Sequence, residues 1–152
     1  MRRKDRKTDE AAAYAVAEKC GWFALSVTLA NGEPYCVPLS MVLRENALYF
    51  HCAKCGLKTE ALRRDARVCV CCVGEVSPAE GELALEYESA IIRGRAEEVT
   101  DKAEMTAALR ALGERYTPNS MPAFAAELHK DLAHTAVWKI EIESISGKSR
   151  KK

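Results

Sequence analysis

Positions 49–58 read YFHCAKCGLK. Within one short stretch lie His51, a C-x-x-C pair (Cys52 and Cys55), and Gly56 set between Lys54 and Lys58. Three chemistries can use these residue types. A zinc site needs four ligands, commonly two such cysteine pairs or one pair with two histidines. Here the second pair would have to come from CVCC at 69–72. In a strand, Cys69 and Cys71 point to one face and Cys72 to the other, which makes a poor metal knuckle. The three histidines (His51, His129, His134) are scattered, so no metal is expected. A thioredoxin-like site places C-x-x-C at a helix N-terminus inside a βαβ frame. Cys55 does precede a short helical segment, yet Cys52 ends a strand and no βαβ alternation surrounds it. The third chemistry is anion binding. A strand, a Gly-containing turn and a helix start leave free N–H groups at the helix N-terminus, where a phosphate is favoured. Lys54 and Lys58 add positive charge, with Arg63 and Arg64 close by. This organisation fits best, although a solvated basic turn has the same appearance.

The elements around this stretch follow from periodicity. An Ala-rich helix is expected over 10–20, with Thr8 as its N-cap and Gly21 as its stop. WFALSVTL (22–29) puts Phe23, Leu25, Val27 and Leu29 on one strand face. Asn31-Gly32 signals a hairpin into a second strand at 34–43, interrupted by Pro38. A third strand at 47–52 carries the chain to the turn, and a short helix follows at 57–65. Strands are expected at 67–76 and 83–99, with Gly94 marking a bend or bulge. Asp101 caps the clearest helix, 101–116, in which Met105, Leu109 and Leu112 recur at helical spacing. A shorter helix at 123–132 leads to the last strand, 136–145, with Trp138, Ile140 and Ile142 on one face. About six strands without βαβ alternation predict a mainly β protein with flanking helices, a six-stranded antiparallel sheet closed or split as a barrel.

The totals are ordinary for one domain of 152 residues: 48% apolar, 30% charged, net charge +1. A chain of this length buries a core without disulfides. No global field recruits nucleic acid or a membrane surface. The basic runs MRRKDRK and KSRKK (tails 1–7 and 148–152) read as solvated, mobile ends. The first residues are charged with no apolar run behind them, so a cytoplasmic protein is expected. No run approaches the roughly 18 apolar residues of a membrane span. In a reducing compartment the seven cysteines read first as small buried hydrophobes.

The wider pattern, GEPYCVPLSMV, LYFHCAKCGLKTEALRRDARVCVCCVGE, YESAIIRGRAEEV and TAVWKIEIESISGKSRKK, resembles the nitroimidazole-resistance family of the pyridoxamine 5′-phosphate oxidase-like, FMN-binding split-barrel superfamily. The opening MRRKDRK also resembles that family's usual start. The resemblance implies a homodimeric split barrel with FMN in the cleft between subunits. It implies that Val37, Pro38, Leu39 and Ser40 lie along the isoalloxazine ring. His51, Cys52 and Ala53 would meet the ribityl chain and phosphate, Leu57 and Lys58 would open the phosphate-binding helix, and Lys54 would assist. From the partner subunit, Tyr87, Ser89 and Trp138 would close the flavin pocket, with Lys148 as a further anion contact. His51 is either a neighbour of the reacting centre or a hydrogen-bonding partner of the phosphate or a backbone group; the second is favoured.

Two departures bear on activity. Pyridoxamine phosphate oxidases proper carry an Arg-Lys pair where this chain has Leu57-Lys58, and WKIEIESISGK lacks their C-terminal arginines. Vitamin B6 oxidation is therefore not expected. The leading expectation is an FMN-dependent oxidoreductase that reduces small acceptors such as nitroaromatic or nitroimidazole compounds. The usual donor is NAD(P)H, although no G-x-G-x-x-G follows any strand. The alternative is a flavin- or haem-binding module without turnover, a sensor or carrier on the same barrel, in which His51 could ligate haem. The 101–132 segment either packs over one barrel end or walls the cleft, with Met121, Pro122 and Phe124 as the residues of a lid.

Overall fold

The computed structural model describes residues 2–131 and 134–150. Met1, Lys151 and Lys152 of the basic tails, and Leu132 at the end of the expected last helix, lie outside them. Helix α1 (Glu10–Lys19) precedes strands β1 (Phe23–Thr28), β2 (Pro34–Leu39), β3 (Val42–Arg44) and β4 (Ala47–Ala53). Helix α2 (Leu57–Arg64) leads to β5 (Arg67–Pro78) and β6 (Leu85–Glu98). Helix α3 (Lys102–Tyr116), a 3-10 segment (Pro118–Ala123) and helix α4 (Phe124–Asp131) come before β7 (Thr135–Arg150).

All seven strands form one antiparallel sheet in the order β2-β1-β5-β6-β7-β4-β3. The expected six strands become seven because the 34–43 run is cut after Leu39. β2 pairs with β1, whereas β3 pairs with β4 at the opposite edge of the sheet. Seven strands laid flat would set those edges about 29 Å apart. Ser40 and Met41 alone link them, and such a link reaches about 11 Å at most. The sheet must therefore curl until its edges nearly meet, which gives a barrel split between β2 and β3. Pro38, with no N–H to donate, sits on the edge strand where its loss costs least.

The interior follows the period-2 faces. Phe23 and Leu25 from β1, Leu48 and Phe50 from β4, Val70 from β5, Ile92 from β6, and Trp138 and Ile140 from β7 are fully buried. α1 closes one side with Ala13, Val16 and Ala17. A second cluster lies on the outer face of the β3–β4–β7 edge, where Val42, Tyr49 and Val137 meet Ala108 and Leu112 of α3. Tyr49 donates a 2.8 Å hydrogen bond to Glu104 of α3. Burial and that carboxylate push its phenol up to about 12.

Gly94 fulfils its expected role. The β6–β7 register shifts between Arg93 and Gly94, and a Cβ at Gly94 would lie 2.0 Å from the Glu141 carbonyl oxygen. Asp101 caps α3, accepting from Glu104 N at 2.7 Å. The cap of α1 is Asp9, not Thr8: Asp9 accepts from Ala12 N at 2.8 Å. Thr8 is packed against β7 instead: its N–H donates to Gly147 O, and its buried hydroxyl finds no hydrogen-bond partner among the described residues. Its hydroxyl is held so closely over Gly147 that a Cβ there would meet it at 2.1 Å. The basic ends also differ from free tails. Lys148 and Arg150 belong to β7, Lys7 bridges Lys148, and Arg6 donates to the Tyr87 hydroxyl. Their backbone groups are satisfied by β6 and by one another.

Candidate functional site

β2 runs along the split with one neighbour, so the outward edge of Val37, Pro38 and Leu39 makes no ladder in this chain. Val37 and Leu39 turn their side chains toward the core. The edge ends at Ser40, and the next residue is fixed from outside. The Tyr116 hydroxyl donates to Met41 O at 2.7 Å and accepts from Met41 N at 3.2 Å. One phenol on α3 thus holds the hinge between the two barrel edges.

β4 delivers the histidine–cysteine stretch with opposite faces. Leu48, Phe50 and Cys52 belong to the barrel side, and Tyr49 and His51 to the helical side. After Ala53 the chain turns through Gly56, whose φ of +116° suits glycine alone. Gly56 caps α2 without a side chain, leaving the first helical N–H groups with no side-chain acceptor. Thr59 turns its hydroxyl back to Gly56 O at 2.8 Å. Lys58 places its ammonium 5.7 Å from the Phe50 ring, beside Cys52. Burial pushes the Cys52 thiol up, and the charges of Lys58 and Arg63 act against that rise.

The two arginines near the turn have structural work. Arg63 bonds Glu98 at 2.9 Å and Lys54 O at 3.0 Å. Arg64 donates to Thr28 O and Leu29 O at 2.7 and 2.8 Å, tying α2 to β1. Among the described residues, the cations left to greet an anion at the α2 start are Lys54, exposed on the turn, and Lys58. Leu57 is 57% exposed beside them.

The remaining expected residues stand elsewhere. Trp138 is 2% exposed in the barrel core, opposite Phe50, where it cannot reach a surface pocket. Its indole N–H is buried without a well-placed acceptor. Ser89 pairs with Lys148, and Tyr87 lies under Arg6 and Lys148, with ring distances of 6.0 and 5.4 Å. Hydrogen bonds from these two cations lower the Tyr87 phenol. On β7, Val137 opposite His51 and Lys148 are eleven residues apart, about 35 Å of strand. One chain cannot close both groups on one small ligand. Among the described residues, no group of three or more His, Cys, Asp or Glu is arranged to hold a metal ion. No described helix is long and apolar enough to cross a membrane.

Reasoning from the sequence missed a cavity of about 390 Å³ between the outer face of β4 and the helical layer. Ser40, His51 and Thr135 line its sheet side, and Leu109, Leu112 and Phe124 line its helix side. The helical spacing of Leu109 and Leu112 was legible, but the strand face they cover depends on the sheet order.

Comparison with known proteins agrees with this geometry. The chain is similar, at 25% identity, to a candidate 5-nitroimidazole antibiotic resistance protein from Bacteroides thetaiotaomicron, over 93% of this chain and 84% of that one, with a TM-score of 0.77. A FAD-binding protein from Mesorhizobium loti aligns at 23% identity over 96% of this chain and 98% of its own, with a TM-score of 0.69. A FAD- and haem-binding protein from Mycobacterium smegmatis aligns at 21% identity over 97% and 74%, with a TM-score of 0.77. No curated protein sequence matches the chain. The family model described as pyridoxamine 5′-phosphate oxidase matches residues 9–149, which takes in β1 to β6 whole and β7 up to its last residue, and the chain belongs to that family.

Proposed function

We propose that this chain is an FMN-dependent oxidoreductase that works as a cytoplasmic homodimer and reduces small acceptors of the nitroaromatic or nitroimidazole type. The observation that carries the reading is the pairing of an open strand edge with an anion-ready helix start. The unladdered edge of β2 offers backbone donors and acceptors to the polar rim of a flat heterocycle. The uncapped α2 N-terminus and Lys58 suit a phosphate. A flavin mononucleotide has both parts, so these residues fit it. The flavin-binding relatives on this fold support the same cofactor class.

When bound, the flavin supplies two-electron transfer between a nicotinamide donor and the acceptor. The chain's own part is to bind and orient. Lys58 holds the phosphate, the β2 backbone fixes the ring edge, and Tyr116 keeps the Ser40–Met41 hinge in place. Trp22, Val73, Val76 and Leu85 expose apolar surface on and beside the β5–β6 arm. That surface supports a second copy packing there, which would carry Tyr87, Ser89 and Lys148 toward a shared cleft. Trp138 has no part in that closure.

A second reading keeps the cofactor site without turnover, as a flavin or haem carrier. It is favoured by the exposed position of His51 on the cavity wall and by the haem-binding relative. The test is anaerobic NADPH- or NADH-dependent loss of nitroarene absorbance with FMN-loaded protein. Turnover above that of free FMN supports the oxidoreductase. Tight cofactor binding with no excess turnover assigns the protein to the carrier reading.

A further inference from the structure

We infer that Cys52 is a modification site: a hydroperoxide oxidises it to a sulfenic acid, whose oxygen accepts the hydrogen bond that the Trp138 indole N–H lacks. The inference needs no bound flavin. Trp138 is 2% exposed, and its Nε1 has no hydrogen-bond partner. Native proteins leave few buried donors in that state. The β4–β7 register pairs Phe50 with Trp138 and Cys52 with Ala136. Cys52 and Trp138 are therefore diagonal neighbours on the barrel side, a separation that an indole spans. The N–H acts on the Cys52 sulfur and favours its thiolate. A thiol sulfur is only a weak acceptor, and the contact falls short of a hydrogen bond. One oxygen added to that sulfur supplies a full acceptor at the same place.

The surroundings of Cys52 suit the step. The residue is half-buried rather than sealed. Lys58 and Arg63 of α2 and the indole of β7 favour a charged sulfur. Burial and Glu98 of β6 oppose it, although Glu98 is itself paired with Arg63 at 2.9 Å. Cys71 is the contrast. It is also half-buried, yet the groups that bear on it are the thiols Cys69, Cys20 and Cys36, which disfavour its thiolate. In the step itself, the Cys52 thiolate attacks one oxygen of hydrogen peroxide. The S–O bond forms as the O–O bond breaks, and the departing hydroxide takes up a proton. Sulfur is oxidised by two electrons, and the peroxide is reduced to water.

The experiment treats the full chain with hydrogen peroxide at pH 8, after Cys36→Ser and Cys55→Ser have removed the two exposed thiols. Catalase stops the reaction, dimedone traps sulfenic acid, and peptide mass spectrometry locates it. Cys52 is expected to carry the adduct, about fivefold or more ahead of Cys71. NMR reads the new hydrogen bond directly. The chain has two tryptophans, and Trp22→Phe, at a 69% exposed position, identifies the Trp138 indole signal. Without dimedone, that signal is expected to move downfield as Cys52 is oxidised and to return with dithiothreitol. Trp138→Phe is expected to shorten the life of the sulfenic acid about two- to tenfold. Circular dichroism checks that this variant folds, and the indole signal decides if it does not. No adduct at Cys52, or an indole signal that stays in place while Cys52 is oxidised, overturns the inference. Saturating FMN is expected to slow the oxidation, because Lys58 then faces the phosphate; this arm alone rests on the flavin reading. An unchanged rate with FMN bound overturns that placement of the phosphate and leaves the modification site standing. A chain that oxidises at Cys52 but takes up no FMN upholds the site and overturns the flavin reading.

Discussion

Lys58→Met removes one ammonium while keeping most of the side-chain stem. In the folded chain that ammonium sits 5.7 Å from the Phe50 ring, one residue into an α2 that no side chain caps. Losing a charge-assisted hydrogen bond to a phosphate costs about 1.5–3 kcal/mol, a loss of about ten- to 150-fold in FMN affinity. The cation–π contact at a half-exposed site is worth about 0.5–1 kcal/mol. The flavin-free protein should therefore melt only about 1–4 °C lower. A third readout needs no flavin. Lys58 counters the burial that raises the Cys52 thiol, so the variant should alkylate Cys52 more slowly at fixed pH. Fluorescence titration gives the affinity, and mass spectrometry of iodoacetamide adducts gives the thiol rate. An unchanged FMN affinity with slower Cys52 alkylation would refute the phosphate role while leaving the placement of Lys58 intact. If neither changes, the placement itself is wrong.

Three further outcomes follow from the fold. Gly94→Ala drives a Cβ to 2.0 Å from the Glu141 carbonyl, so thermal denaturation should show a loss of about 3 kcal/mol or more; a shift within 1 °C would contradict the close β6–β7 approach. Tyr49→Phe removes the 2.8 Å bond to Glu104 and should cost about 1.5–2 kcal/mol at pH 7. The Tyr49 phenol stands at about 12 in the fold against 10.0 ordinarily. The folded state holds that proton more tightly, so its contribution is whole below pH 10 and fades as pH climbs toward about 12. Urea melts across that window should be flatter for the phenylalanine variant, and parallel slopes would sink the idea. In the native protein, iodoacetamide should reach Cys36 and Cys55 first, Cys52 later, and Cys20 and Cys72 only on unfolding, because the first two are exposed and the last two are 1% and 0% exposed. Early labelling of Cys72 would contradict the packing.

Much of the architecture was legible because it is written in local periods. Trp138, Ile140 and Ile142 alternate with charged residues, and that alternation places Trp138 inside the barrel. The period was the better guide to Trp138 than its expected part in closing a flavin pocket. Gly94 and Asp101 were legible for the same reason, since a bulge and a cap are local requirements. The strand break at Ser40 was not, because 34–43 reads as a single strand whose one irregularity is Pro38. Only the sheet order sends β2 and β3 to opposite edges. Thr8 and Asp9 are both good caps in sequence, and Gly147, far along the chain, decides between them. The anion-ready turn at Gly56–Lys58 was readable residue by residue. The cavity was not, because Ser40, His51, Leu109 and Phe124 meet only after three distant segments pack. Arg63 and Arg64 show the same limit: their charge suggested a phosphate, but Glu98 and the β1 carbonyls engage them first.

The central claim is that the split between β2 and β3 holds a flavin. The visible absorption spectrum of freshly purified protein tests it most directly, with the released chromophore identified by chromatography after acid treatment. The account predicts a two-banded flavin spectrum and FMN in the released fraction. A Soret band would move the cofactor to haem and its ligation to His51. A colourless protein that also fails to take up added FMN would contradict the account.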